Sequence, residues 1–597
     1  MKNYRLNIIA EERAKGSAWG AILGIVPFLK TETWTLVFAF TAILVNSALS
    51  LMVPFLMGRA VDIYIIPAHF SGIITYGIII AGMYVAAFGA NYAQLILMGG
   101  VGQRTVFKLR NEIFTKLGKL PLAFFNENKA GDLISRINND TDKLNQFFAQ
   151  TLTRFVGSLF TILGTAVFIV AINWRLGLLT IIPAGIILIA TQLTSSWVKK
   201  KNAKNLQATG LLSAEIQESL ENFKVIVAFN RRDYFRSRFA EANYHNYKAA
   251  VSAGLVNNIF QPTYDFADNI ATLVILLYGA FLITQGLFTI GLLVAFLVYV
   301  DRFYNPLRQL AVLWSSFQLA LAAWDRVSDI LNLESNLKIL PQNSTNGTLS
   351  SQERVGSEAD RVRLSFDHVS FGYVPEKLVL NNISFDLMPG KTYAFVGPTG
   401  GGKTTTANLM VRLYDPTSGT ITIEDRDIKS YHDHERAQKI GFILQEPFLF
   451  GSTLKEAIVY GMHKKLGEDE VLDLLKNRGL DHLLKQFEHG LETPISNDGS
   501  QMSLGERQMV AFMRAVIREP DVLILDEATA NIDTVTEEIL DTILKKLPSK
   551  TTVVIIAHRL NTIKNADEIF FVNNGTVIQA GTFDHAVEML LNDKRSS

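Results

Sequence analysis

No cysteine occurs anywhere in the 597-residue chain. Disulfides, thiolate zinc sites and a cysteine nucleophile are therefore excluded, and the composition suits a reducing compartment. A surplus of charge is missing as well: 57 basic residues face 56 acidic ones, and a net charge of +1 gives no field for nucleic acid or another polyanion. Residues 1–15 mix both signs and lack a short apolar core followed by a small-residue cleavage site, so they do not read as a secretory signal. No repeat with a short fixed period is visible either.

Apolar residues make up 48% of the chain, and the mean hydropathy of +0.20 is high for a soluble protein of this size. The average hides a division. The N-terminal half is apolar and the C-terminal half resembles an ordinary soluble domain. A chain this long exceeds one compact domain. Residues 16–29, with Trp19 and Phe28, are amphipathic but too short to span a bilayer, and suit its interface. Six stretches are long enough to cross the roughly 30 Å hydrocarbon layer: 34–57, 73–98, 155–172, 176–198, 259–284 and about 290–310. The third and fourth are separated only by a turn around Asn173, Trp174 and Arg175.

The loops set the orientation. Residues 99–151 carry Arg104, Lys108, Arg110, Lys116, Lys119 and Arg136, and the fourth span is followed by Lys199, Lys200, Lys201, Lys204, Arg231 and Arg232. The loops on the opposite side hold only Arg59 and Arg175. The positive-inside rule places the long loops, both termini and the C-terminal domain in the cytoplasm. Helical periodicity in those loops predicts that the spans continue well into the cytosol. Two breaks, at 120–131 and 221–229, read either as helix–loop–helix corners or as short crosswise helices with aromatic side chains available for docking. Residues 335–361, rich in Ser, Asn, Gly and charge, read as a linker. The expected division is an elbow over 1–32, a six-helix membrane domain over 33–334, that linker, and a nucleotide-binding domain over 362–597, where short β-rich runs alternate with helices.

The chemistry is concentrated in that last domain. Gly397-Pro-Thr-Gly-Gly-Gly-Lys-Thr404 fits the phosphate-loop pattern, between an apolar strand over 392–396 and a helical stretch over 405–413. Backbone N–H groups around Gly397, Thr399, Gly400, Gly401 and Gly402 would cradle phosphate, with Thr405 in the first helical turn. Lys403 would reach the β- and γ-phosphates, and the Thr404 hydroxyl would ligate Mg²⁺. Asp521 to Asp526 is an apolar strand ending in an acid fit to hold Mg²⁺, and the adjacent Glu527 would polarise an attacking water. Gln445, at another strand end, would touch both metal and water. Tyr373 would stack on an adenine ring. His558, also at a strand end, reads either as structural or as a γ-phosphate contact that orients Glu527. Ser503 opens a helix as N-cap, with Glu506 at the capping-box position, and the same N-terminus reads equally as a phosphate ligand.

Phe371-Gly-Tyr373, the loop at 397–404, Gln445, Met502-Ser-Leu-Gly-Glu-Arg-Gln508, Asp526-Glu527 and His558 recur in the order of the ATP-binding-cassette exporters. With six spans and a linker, the chain resembles one of their half-transporters over nearly its whole length. The resemblance implies an ATPase domain that pairs head to tail with a second one around two ATP molecules. Lys403 and Asp526 of one copy would face Ser503 and Gly505 of the other, with Asp533 in the loop between sites. It also implies that 120–131 and 221–229 are coupling segments. Leu504 stands where the signature usually has glycine. Together with Ala528 to Asp533 after Glu527, that departure favours a heterodimer over a homodimer, with this chain as the subunit carrying the catalytic glutamate.

The resemblance implies ATP-driven export of hydrophobic, drug-like compounds from the cell membrane. A lipid flippase on the same engine and an ATP-gated channel or regulator are the alternatives. In the fifth span and its lead-in, Asp265 and Asp268 share one helix face, and Asp301 and Arg302 occur in the sixth. Acids facing a cavity would favour cationic amphiphiles; acids between helices would be polar glue.

Overall fold

The computed structural model describes residues 4–6, 18–335, 337, 339–340, 363–374, 377–462, 464, 466–496, 499, 501–526, 542–544, 547–556, 564–581, 583–586 and 588. The chain forms an α-helical membrane domain and an α/β domain. It divides into two compact units. One comprises Leu6–Gly118 and Lys129–Asn332; the other comprises Met1–Arg5, Lys119–Asn128 and Leu333–Ser597.

Among the described residues of the helical unit, six helices are long and apolar enough to cross a membrane: Leu23–Ile65, Phe70–Leu117, Ala130–Ile172, Trp174–Glu221, Arg232–Thr284 and Ile290–Leu331. Each runs well past its apolar stretch, so charged chain continues the same helices. The turn expected at Asn173 is present. Asn173 caps the fourth helix, its side chain accepting from the N–H groups of Arg175 and Leu176, each at 3.1 Å. Residues 221–229 break the helical run as expected and form the short helix Phe223–Ala228, with Phe223 and Phe229 exposed.

The spans are joined by small residues and by polar groups that find backbone partners. A Cβ on Gly58 would sit 2.4 Å from Gly291 O, so the first and sixth helices cross with backbone almost in contact. Asp62 seals that crossing: it accepts from Thr289 Oγ1 at 2.6 Å and from the Gly291 N–H at 2.8 Å. Buried Tyr299 donates to Leu51 O at 2.6 Å, and buried Tyr304 to Thr180 O at 2.8 Å. Each hydroxyl is thereby satisfied where no water competes. The partner of Asp265 is Arg308 of the sixth helix.

Among the described residues the other unit contains three sheets, the smallest a pairing of β7 (Ser452–Thr453) with β8 (Pro494–Ile495). Strands β1 (Leu364–Phe371), β2 (Leu380–Leu387), β4 (Ser418–Ile423) and β5 (Arg426–Asp427) form an antiparallel sheet in the order β2-β1-β4-β5. Strands β3 (Thr392–Val396), β6 (Ile440–Ile443), β9 (Val522–Asp526), β10 (Thr552–Ile556), β11 (Glu568–Asn573) and β12 (Thr576–Gly581) form a second sheet in the order β12-β11-β3-β10-β9-β6. All its pairs are parallel except β11 with β12. Strands β9 and β10 are buried along their whole length, as a parallel sheet covered on both faces requires. One apolar core packs the sheets together around the helix Lys403–Met410, and a second lies under the helix Leu504–Val516.

The segment Lys119–Asn128 belongs to this second unit despite its place between two spans. Its helix Leu122–Glu127 buries Phe124 completely, edge-on to Tyr4 at 6.4 Å. Ala123 packs against the two-sheet core, and Asn126 Nδ2 donates to the Tyr414 hydroxyl at 2.7 Å. Burial raises the Tyr414 pKa above its usual value, and the hydrogen bond from Asn126 opposes that shift without cancelling it.

Candidate functional site

Strands β3, β10, β9 and β6 are parallel neighbours, so their carboxyl ends share one edge of the sheet, where α/β folds bind ligands. The loop that follows β3 turns there into the helix Lys403–Met410. Its shape depends on glycine. Gly397 has φ +147° and a Cβ there would lie 2.0 Å from Val572 O; Gly402 has φ +117° and its Cβ would lie 2.7 Å from Leu380 Cδ2. A Cβ on Gly400 would meet only open space, which marks the side of the loop that faces a ligand.

That side is a cavity of about 210 Å³ lined by Val379, Thr399, Gly400, Gly402, Lys403, Thr404 and Thr405. The buried Lys403 side chain folds over the loop, with Nζ donating to Gly397 O at 2.8 Å and to Pro398 O at 2.9 Å. Thr404 Oγ1 donates to Asp526 Oδ1, the last residue of β9, at 3.4 Å. A hydroxyl and a carboxylate thus converge beside the loop, a hard-oxygen pair of the kind Mg²⁺ prefers. Tyr373 stands next to the same helix: its hydroxyl lies 3.2 Å from Thr405 Oγ1, and its ring meets Phe371 and Tyr414 edge-on. The ring is 40% exposed, which leaves a face free for stacking.

Gln445 follows β6, and its carbonyl accepts from Gln508 Nε2 at 3.4 Å, tying that strand end to the helix Leu504–Val516. Ser503 is the N-cap of this helix. Its Oγ accepts from the Glu506 N–H at 3.2 Å and donates to Glu506 Oε2 at 2.9 Å, while Glu506 Oε2 accepts from the Ser503 N–H at 2.7 Å. Ser503 and Gly505 do not line the 397–405 cavity. Glu527, Asp533 and His558 lie outside the described residues. Val572 and Val379 are additions that sequence reading missed. They act through backbone oxygens and packing, which no motif records: Val572 O is the wall against which Gly397 and Gly401 close.

The sequence profile described as "ABC transporter transmembrane region" matches residues 36–307, and that described as "ABC transporter" matches residues 380–530. A fatty acid ABC transporter ATP-binding/permease protein of Mycobacterium bovis is 32% identical over 499 residues, covering 84% of this chain and 77% of that protein. An uncharacterized ABC transporter ATP-binding protein of Bacillus subtilis is 32% identical over 583 residues, covering 97% and 94%. An ATP-dependent lipid A-core flippase of Syntrophus aciditrophicus is 28% identical over 546 residues, covering 92% and 89%. The solved structure of a bacterial Atm1-family ABC exporter with ATP bound superposes with a TM-score of 0.75 at 24% identity, covering 94% of this chain and 96% of that one, and shares the fold. With six helices able to cross a membrane, the chain is a multi-pass membrane protein. It belongs to the ATP-binding-cassette transporters of the exporter type, translocases that couple an ATPase domain to a helical membrane domain.

Proposed function

We propose that this chain is half of a dimeric exporter that uses ATP hydrolysis to move a hydrophobic or amphiphilic compound across a cell (inner) membrane. The observation that carries the reading is the cradle at the carboxyl edge of the sheet, with Lys403 over the loop and Thr404 against Asp526. Lys403 and the backbone N–H groups of 399–405 bind the phosphates, and the N-terminus of the following helix adds its positive end. Thr404, Asp526 and Gln445 would hold Mg²⁺, which when bound neutralises charge on the phosphates. Glu527 serves as base for the attacking water, His558 orients it, and Tyr373 takes the adenine face.

Ser503 and Gly505 do not line the 397–405 cavity. A second subunit therefore completes each site, with Asp533 at the junction. Leu504 in the signature favours a heterodimer, whose unequal second site uses this chain's altered signature. The basic loops support a cytoplasmic location for the ATPase domain. The domain limits that go with this reading are an elbow over 1–32, spans within 33–334, a linker over 335–361 and the ATPase domain over 362–597. Among cargoes, the fatty acid transporter and the lipid A-core flippase among the relatives favour a lipid-like compound over a drug.

The test is ATPase activity and native mass of the chain expressed alone in nanodiscs. An active dimer silenced by Glu527→Gln supports a homodimeric exporter. A chain inactive alone and rescued by a second half-transporter supports the heterodimer. Undiminished hydrolysis in Glu527→Gln sinks the catalytic assignment.

A further inference from the structure

We infer that the membrane unit selects anionic amphiphiles, with Arg154 and Arg302 receiving the acidic headgroup. The inference rests on the exporter reading and names its class of cargo. A cavity of the helical unit, about 530 Å³, lies among the first, second, third and sixth spans. That volume suits a headgroup with part of an acyl chain. Its only charged lining residues are Arg154 and Arg302, both cations.

Neither guanidinium has a carboxylate partner among the described residues. In the same unit Arg104 pairs with Glu32, Arg136 with Asp132, Arg308 with Asp265 and Arg326 with Asp140. An arginine left uncompensated within a span, as Arg302 is, is costly in a bilayer, and such groups mark a substrate path; Arg154 directly precedes the apolar stretch 155–172. Arg302 is twelve residues from Ile290, roughly 18 Å along the sixth helix at about 1.5 Å per residue. Arg154 is eighteen residues from Ile172, roughly 27 Å along the third. Both are therefore set back from the ends that the basic loops place outside, at the depth where cargo from the inner leaflet would present its headgroup.

The rest of the wall is polar on one side. Asn46, Asn91, Gln94 and Thr153 line it. Gln94 Nε2 donates to Asn91 Oδ1 at 2.9 Å, yet Gln94 Oε1 is buried without a partner. Thr153 Oγ1, on a residue 4% exposed and adjacent to Arg154, is also unpartnered. Buried polar atoms without partners are rare in proteins; of these two, the Thr153 hydroxyl is the one that can donate to an anionic guest. A threonine hydroxyl beside two guanidinium forks can donate to the oxygens of a carboxylate or phosphate. Ile43 and Leu95 supply apolar surface for the chain.

The acids that would favour a cationic cargo if they faced a cavity are elsewhere. Asp265 pairs with Arg308, and Asp268 lies in the field of Asp301, Arg308 and Asp265. None of the four lines this cavity. The charge of the cavity is thus the reverse of the one that the acidic residues of the fifth span suggest.

The test uses the purified dimer, with its second subunit if it has one, in nanodiscs of neutral lipid at alkaline pH. Oleate, dioleoyl phosphatidate, oleylamine, oleyl alcohol and acetate are titrated as stimulants of ATPase activity. Fluorescent cis-parinarate gives binding independently of hydrolysis. We expect oleate or phosphatidate to act at concentrations at least tenfold below oleylamine and oleyl alcohol, the better of the two telling carboxylate from phosphate. Acetate should be inert. The Arg154→Gln/Arg302→Gln pair should weaken parinarate binding at least tenfold, since each charged hydrogen bond contributes on that scale, and Arg154→Lys/Arg302→Lys should restore most of it. Equal responses to oleate and oleylamine, or unchanged parinarate binding in the double Gln variant, overturn the inference. Wild type that hydrolyses no ATP counts against the exporter reading, while parinarate binding still decides this one.

Discussion

Lys403 shows how much of the phosphate site is prepared before any ligand arrives. Its ammonium rests on the carbonyl oxygens of Gly397 and Pro398, which hold it over the loop, so the rotamer freedom of the lysine is already given up in the fold. The loop is held from behind by backbone: the Gly575 N–H donates to Gly401 O at 3.2 Å, and a Cβ on Gly401 would lie 2.6 Å from Val572 O. Gly401→Ala therefore forces two backbone segments apart, a strain of about 1–3 kcal/mol. Affinity for a fluorescent ATP analogue should fall at least tenfold in Gly401→Ala, with the membrane domain still extractable and folded. Unchanged affinity would show that the loop is looser than this contact implies. The motif named the lysine and the glycines. It did not name Val572, because the partner of a glycine is whatever backbone the tertiary fold brings against it.

Helices carry the next set of decisions. Ser503 has a structural duty, the reciprocal cap with Glu506, whatever its role toward ATP. The two duties separate by substitution. Ser503→Ala should cost about 1 kcal/mol of stability, the typical loss for a cap. Ser503→Asn keeps an equivalent cap, so its thermal midpoint should stay near wild type. If the hydroxyl also serves phosphate, Ser503→Asn still loses more than tenfold in ATPase rate. Normal turnover in Ser503→Asn would leave the residue as a cap alone. Where the first and sixth helices cross, Gly58→Ala would drive a methyl into Gly291 O, 2.4 Å from the Cβ position. Overpacking of this kind costs about 1–3 kcal/mol. A lowered melting temperature in detergent, with Gly77→Ala as the control in open space, checks it.

Across the whole molecule, the telling feature is that Lys119–Asn128 belongs to the ATPase unit while the chain on either side of it forms the second and third spans. Motion of the ATPase unit must act on those helices through covalent bonds. Asn126→Ala removes the 2.7 Å hydrogen bond to Tyr414 and leaves Phe124 in place. Basal ATPase should remain within about twofold, because one neutral hydrogen bond contributes about 1 kcal/mol. Stimulation by cargo should drop by more than half, measured in nanodiscs with saturating ATP. Equal stimulation in the variant would move the coupling elsewhere.

Sequence alone determined the six spans, the turn at Asn173, the phosphate loop with its strand and helix, and the acid at the end of β9. Each of these is a local matter: hydropathy over about 20 residues, a cap, or a loop whose glycines and lysine are consecutive. Which charges cancel was decided by tertiary structure. Asp265 and Asp268 read equally as cavity acids or as polar glue between helices; helix packing pairs Asp265 with Arg308 and leaves Arg154 and Arg302 lining the cavity. The composition of a span states how many charges it holds, whereas the rotation of each helix about its axis decides which of them meet. That rotation follows from contacts such as Gly58 on Gly291 and Tyr304 on Thr180, between residues more than a hundred positions apart, which no local pattern encodes.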